Sequence, residues 1–307
     1  MGIRTVPDPA PDPTSGTETD TAALLRACLW MIGAVISFTA MAIAGREISV
    51  ELDTFEIMMY RSAVGLVLVL GVGAAFGRLH RIRTSRLGVH VLRNIFHFAG
   101  QNLWFYAVAT IPLAHVFALE FTTPLWVLLL APLFLGERLT RLRVLAALAG
   151  FIGILIVARP SPDTLNAGTI AAAAASIGFA GTMIMTKRLT RHETLTGILF
   201  WMTLLQLIFG ILLSGFDGDI ALPSAGSAVG VLVIGLGGIV AHLCLTSALS
   251  IAPATIVTPV DFARLPIITI LGFMLYQEPV DVLVILGAIL IFGANYVNIW
   301  AETRKKR

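Results

Sequence analysis

The chain has 307 residues, 57% of them hydrophobic and 13% charged, with a net charge of +3 and a mean hydropathy of +0.89. Soluble domains carry roughly 25% charged residues, so the composition excludes an ordinary soluble fold and indicates a membrane protein. The basic residues fall in short loops between apolar runs, which argues against a nucleic-acid partner. Cys28 and Cys244 both lie inside apolar runs, so neither a disulfide framework nor a metal site is implied.

Residues 1–22, rich in proline and polar side chains and without periodicity, predict a disordered cytoplasmic tail. They lack the basic start and cleavage site of a signal peptide. Ten apolar segments follow, at about 24–44, 55–76, 88–109, 113–135, 143–158, 168–186, 194–213, 226–250, 254–275 and 282–300, most of them near the ~20 residues that cross a bilayer as a helix. Short joints at Thr110 to Pro112 and Ile251 to Pro253 force antiparallel neighbours, with proline pre-setting the next helix. The joints ending at Thr140 and Asp281 close on residues suited to N-capping. Residues 302–307 form a basic tail.

Orientation follows from lysine and arginine. One set of loops and tails holds sixteen: Arg4, Arg26, Arg78, Arg81, Arg83, Arg86, Arg138, Arg141, Arg143, Lys187, Arg188, Arg191 and residues 304–307. The opposite loops hold Arg46 and Arg159 together with seven acids, which predicts a multi-pass protein of the inner membrane with both termini in the cytoplasm.

The segments also repeat. An offset of 141 pairs Glu120 with Asp261, Phe121 with Phe262, Ala107 with Ala248, Pro112 with Pro253, Val116 with Val257, Glu137 with Glu278, and Ile36, Phe38 and Ile43 with Ile177, Phe179 and Ile184. One gap-free offset over more than a hundred positions indicates an internal duplication of five spans. Five is odd, so the second copy enters from the opposite side. The expected fold is therefore an all-α polytopic membrane protein with ten transmembrane helices as two inverted five-helix repeats, residues 23–160 and 161–301, the architecture of secondary transporters.

The run from Pro124 to Val127 with Leu135 to Leu139, a span containing Gly153, and the echo in Glu278, Gly287 and Gly293 resemble the EamA domain. Two such domains in ten spans are similar to the drug/metabolite transporter superfamily, over about residues 24–300. That resemblance implies a transporter of amino acids, S-adenosylmethionine, riboflavin, nucleotide sugars or drugs, inward or outward. It also implies a central cavity enclosed by the first four spans of each half, with the fifth and tenth as buttress or homodimer contact. The second copy departs from the motif at Gln277 and Pro279, which weakens any role for the loop arginine.

Charge inside a membrane is costly and marks function by default. Glu120 and Asp261 each lie about eight residues into their spans, so ~12 Å deep and near the midplane. Pro124 cannot donate to the carbonyl of residue 120, and Pro259 and Pro266 disturb the helix around Asp261, as broken helices lining a cavity do. Asp261 and Arg264 are spaced to pair, either as a self-contained bridge or as part of the site. Glu120 lacks a basic neighbour in its own turn and needs Arg61, Arg93, Arg264, a proton or a substrate. Arg93, His97, Gln101 and Trp104 form one stripe on the third span, and Gln101 maps onto His242. Arg93 lies near the cytoplasmic edge, where it can snorkel. Arg61 has Glu56 one and a half turns away and suits a substrate carboxylate or Glu120. His90 and His115 read as interfacial, while Trp104 and Phe121 are candidates to stack on a substrate.

Both charge signs in one cavity suit a small polar or zwitterionic metabolite moved by alternating access, with proton coupling or exchange as the driving force and no cofactor. An aromatic uncharged metabolite such as riboflavin is the competitor. The rival classes are an intramembrane acid–base enzyme, for which the H-E-x-x-H and G-x-S-x-G patterns are missing, and a non-transporting receptor, for which long extramembrane loops are missing.

Overall fold

The computed structural model describes residues 15–135, 141–159, 165–190, 192–216, 218–251 and 260–304. Among the described residues the α-helices are α1 Ser15–Ile48, α2 Thr54–Ala75, α3 Leu87–Thr110, α4 Leu113–Glu120, α5 Thr123–Leu135, α6 Arg141–Ala158, α7 Ala167–Leu189, α8 Leu195–Ser214, α9 Ala225–Ile251, α10 Arg264–Tyr276 and α11 Val282–Arg304. Six helical stretches are long and apolar enough to cross a membrane. With α3 and the shorter apolar helices they make ten segments, α4 and α5 being two halves of one span. Successive segments alternate between an end carrying the Arg78 to Arg86 loop and an end carrying Glu47, Glu51 and Glu278, here termed the basic and acidic ends.

Packing obeys the duplication. The first span (α1) lies along the eighth (α9), and the third (α3) along the sixth (α7), so exchanging the halves converts one pair into the other. The second span meets the seventh (α2, α8), the fifth meets the tenth (α6, α11), and the fourth meets the ninth (α4, α10). This is a two-repeat fold in which each half packs mainly on the other. Small residues set the closeness of these crossings, because without water apolar burial gives no drive between helices and van der Waals contact has to serve. A Cβ on Gly178 would lie 2.9 Å from both Gly100 Cα and Phe96 O. On the α6–α11 pair, a Cβ on Gly153 would lie 2.8 Å from Gly287 O, and one on Gly287 would lie 2.8 Å from Gly153 O.

Capping follows the sequence. Asp53 and Glu56 form a reciprocal capping box at α2, and Asn166 and Thr194 cap α7 and α8. Asp281 Oδ1 accepts the Leu283 N–H at the start of α11. At the head of α9, the Glu51 carboxylate accepts from Ser227 Oγ and from Ser224 N and Oγ, and these bonds, that of Ser227 foremost, hold its carboxyl below the ordinary range.

The first helix is described from Ser15, within the 1–22 stretch expected to be a tail. Glu56 does not serve Arg61; its carboxylate is committed to the Asp53 N–H and the Ala221 N–H. His90, near the start of α3, is fully buried against Trp201, its ring centroid 6.1 Å from the indole. The motif residues 136–140 and the joint and span start at 252–259, with Pro259, lie outside the described residues.

Gly178→Leu places a side chain against backbone that has nowhere to move, whereas overpacking a yielding core costs ~1–3 kcal/mol. The expected outcome is loss of monodisperse protein on size-exclusion chromatography. Gly71→Leu, where a Cβ would meet nothing within 4 Å, is expected to elute as the wild type.

Candidate functional site

Two spans break, and they break at equivalent places. α4 ends at Glu120 and residues 121–122 form a turn; 141 residues later the helical residues 260–261 end at Asp261 and residues 262–263 form a turn before α10. Pro124 has no N–H for the Glu120 carbonyl, and the Thr123 hydroxyl takes that carbonyl at 2.7 Å. Asn295 Nδ2 on α11 takes the Phe121 carbonyl at 2.9 Å, and the Leu119 carbonyl accepts both the Thr122 N–H and, at 2.6 Å, the Thr122 hydroxyl. The carbonyls of Glu120 and Phe121, freed by the break, are thus satisfied by side chains, as a dry interior requires. Phe121 and Phe262, each the first residue of its break, stack on one another at 4.4 Å and 27°.

Arg264 joins these breaks. Its Nη1 reaches Glu120 Oε1 at 3.2 Å and its Nη2 reaches Asp261 Oδ2 at 2.7 Å, so one guanidinium holds the carboxylates of both halves. Trp104 Nε1 donates to the other Glu120 oxygen at 2.8 Å. The guanidinium carbon lies 4.7, 5.1 and 5.5 Å from the ring centres of Phe38, Phe121 and Phe117, an aromatic cage suited to a delocalised cation. The Arg264 side chain is 5% exposed, against 16% for Glu120 and 22% for Asp261, so the carboxyls are the accessible groups. Among the described residues, buried Asp261 Oδ1 and Arg264 Nε find no hydrogen-bond partner. If both carboxyls ionise, one negative charge is in excess over Arg264, and a proton or a cationic group can neutralise it.

The remaining candidates gather one to three turns away along α3. Trp104 and Gln101 share a face, three residues apart, and Gln101 Oε1 accepts from Arg61 Nη1 at 3.0 Å. His97 lies one turn further, its ring 6.0 Å from that of His242. Phe179 packs on His97 at 6.4 Å and its counterpart Phe38 on His242 at 5.8 Å, although His242 itself corresponds to Gln101 and His97 to Gly238. Arg93 does not snorkel. It is 4% exposed and donates through Nε to Thr186 Oγ1 on α7 at 2.7 Å. Arg61 pairs with Gln101 and not with Glu120.

Sequence reasoning placed Glu120, Asp261, Arg264, Arg61, Arg93, His97, Gln101, His242, Trp104 and Phe121 in the interior, and all ten are buried or half-buried there. It missed Phe38 and Phe117 of the cage, Thr186, and Asn295. Asn295 is one of two asparagines in an apolar helix, a detectable signal, but its repeat counterpart is Ile154, so the duplication hid it. It also shows that the tenth span reaches the site instead of only buttressing it, as does the contact of Phe292 with Phe262 at 4.7 Å.

Comparisons with known proteins agree with this architecture. The profile of the EamA-like transporter family matches residues 25–159 and 166–300. A riboflavin transporter of Vibrio cholerae is 28% identical over 92% of this chain and 96% of its own length. An S-adenosylmethionine uptake transporter of Rickettsia bellii is 24% identical over 90% of this chain and 94% of its own. A solved crystal structure superposes with a TM-score of 0.63 over 92% of this chain and 99% of that one, at 18% identity, which supports the fold alone. With both halves matched and the two-repeat packing in place, the chain belongs to the EamA-like transporter family.

Proposed function

We propose that the chain is a secondary transporter that moves a small polar or zwitterionic organic metabolite, an amino acid or a derivative of one, across the inner membrane by alternating access. The observation that carries this reading is the Arg264 bridge, which ties Glu120 of one half to Asp261 of the other at paired helix breaks. A substrate cation competes with Arg264 for the carboxyls, and rocking of the halves about this point exposes it to either side. A proton on one of the carboxyls, or counter-exchange, supplies the drive.

The acidic end supplies contacts for such a gate. Arg46 on α1 pairs with Glu278 and donates to the carbonyls of Val108 and Ile111 on and just beyond α3, while Glu278 also accepts the Leu113 N–H of α4 at 2.9 Å. Tyr276 donates to Glu47 at 2.7 Å. These bonds gather α1, α3, α4 and α10 at one end, and opening that end requires breaking them.

A second reading, an aromatic uncharged metabolite such as a flavin, draws on the Phe121–Phe262 stack and on the riboflavin-transporter relative. Counterflow in proteoliposomes with pooled labelled amino acids, S-adenosylmethionine, riboflavin and polyamines separates the two. Glu120→Gln and Asp261→Asn are each expected to cut flux about tenfold or more, the scale of a charge-assisted hydrogen bond lost at the site, with elution unchanged. Full flux in both variants would remove the central site from the account.

The proposed orientation is tested separately. Single cysteines at positions 81 and 305, in a background lacking Cys28 and Cys244, are expected to be labelled from the cytoplasmic side only. Labelling from outside would reverse the topology.

A further inference from the structure

Arg61 and Arg93 have no carboxylate partner among the described residues. Arg61 is 6% exposed and donates from Nη1 to Gln101 Oε1 and, at 3.6 Å, to Met58 Sδ. Arg93 donates to Thr186 Oγ1 and, at 3.8 Å, to Met202 Sδ, and its Nη1 is buried without a partner. Each guanidinium has five N–H donors, so most of their capacity goes to weak sulfur acceptors or to nothing. Both ring nitrogens of His97, 2% exposed between Arg93 and Gln101 on α3, are also unpartnered. Two buried cations without a counter-ion are costly to keep, by several kcal/mol per ion.

The fold does not require them. The offset of 141 places Met202 and Ile234 where the first half has Arg61 and Arg93, so the same architecture is built in the second half with apolar residues at these positions. A narrow recess with room for about one water molecule, lined by Arg61, Ser62, Gly65, Met202, Thr203 and Gln206, lies between α2, α8 and α9. On α9, Gly238 leaves the guanidinium room that a side chain would fill, since a Cβ there would lie 2.8 Å from Arg61 Nη2.

We propose that Arg61, Arg93 and His97 form an anion subsite that receives a carboxylate or phosphate group, separate from the Arg264 bridge and joined to it by the stripe from Gln101 to Trp104. The inference deepens the transporter reading and rests on it in one respect, that the anionic group is part of the cargo. The stripe from Arg93 to Trp104 is about 16 Å long at 1.5 Å per residue, so a cargo of metabolite size with a cationic or aromatic end at Glu120 presents its anionic end to the arginines. A free inorganic anion taken up in exchange is the other source of the same chemistry.

The test is binding to the purified full-length protein, measured with matched pairs that differ in one anionic group: L-methionine and L-methioninamide, S-adenosylmethionine and its decarboxylated form, and riboflavin 5′-phosphate and riboflavin, with inorganic phosphate alone as a further probe. The anionic member of at least one pair is expected to bind about tenfold or more tightly, the scale of charge-assisted hydrogen bonds to a guanidinium. That preference is expected to vanish in Arg61→Met and Arg93→Ile, which copy the second half. Gln101→Glu keeps both arginines and supplies an internal carboxylate to Arg61; it is expected to lose the preference while raising thermal stability, and it answers the question where an arginine variant fails to fold. Arginine-dependent binding of inorganic phosphate without preference within any pair assigns the subsite to a free anion. No anion binding at all, or a preference that survives in all three variants, overturns the subsite. Because the readout is binding, flux that depends on Glu120 while the arginine variants behave as wild type leaves the transporter reading standing and removes only the subsite.

Discussion

The structure depends on one guanidinium held between two carboxylates from opposite halves. Arg264 meets Glu120 and Asp261 where both spans lose their helical hydrogen bonds, and the break and the charge explain each other. A helix broken in a dry interior is tolerated only where its freed carbonyls find partners, and a carboxylate there only where it finds a cation or a proton. Thr123 and Asn295 satisfy the first condition, and Arg264 with Trp104 the second. The Phe121–Phe262 stack places the two breaks against each other, so the halves are coupled at the point of greatest electrostatic cost.

Symmetry and its violation divide the structure into scaffold and site. Elements that repeat are those that build the bundle: the mutual packing of α1 with α9 and α3 with α7, and the two breaks. Elements that do not repeat concentrate beside the centre. Arg264 corresponds to Thr123, Arg61 to Met202, and Arg93 to Ile234, so a near-symmetric frame carries an asymmetric charge distribution. On the proposed transporter reading, the two-fold frame allows the halves to rock and the unpaired charges give an otherwise symmetric centre a direction in which a dipolar cargo can lie.

Much of this was legible in the chain. Span number and the duplication followed from apolar run length and one constant offset, because both are imposed by bilayer thickness and by symmetry, which tolerate divergence in side chains. The pairing of Asp261 with Arg264 followed from helical spacing. What sequence did not reveal were partners that depend on how helices cross. Arg93 lies only about six residues from the helix start, yet α7 covers it and Thr186 engages it. Glu56 looked available to Arg61 until the capping box and the Ala221 N–H claimed it. Asn295 and the aromatic cage arise from spans far apart in sequence, and no local pattern announces them.

The most direct measurement is a double-mutant cycle on counterflow, comparing Glu120→Gln, Arg264→Met and the double variant, with elution and thermal stability followed in parallel. A bridge that organises the transport site makes the two residues act as one unit, so the double variant should lose no more flux than the worse single variant. Losses that multiply, each residue contributing independently while the protein stays folded, would contradict the claim that Arg264 and Glu120 form the central site together.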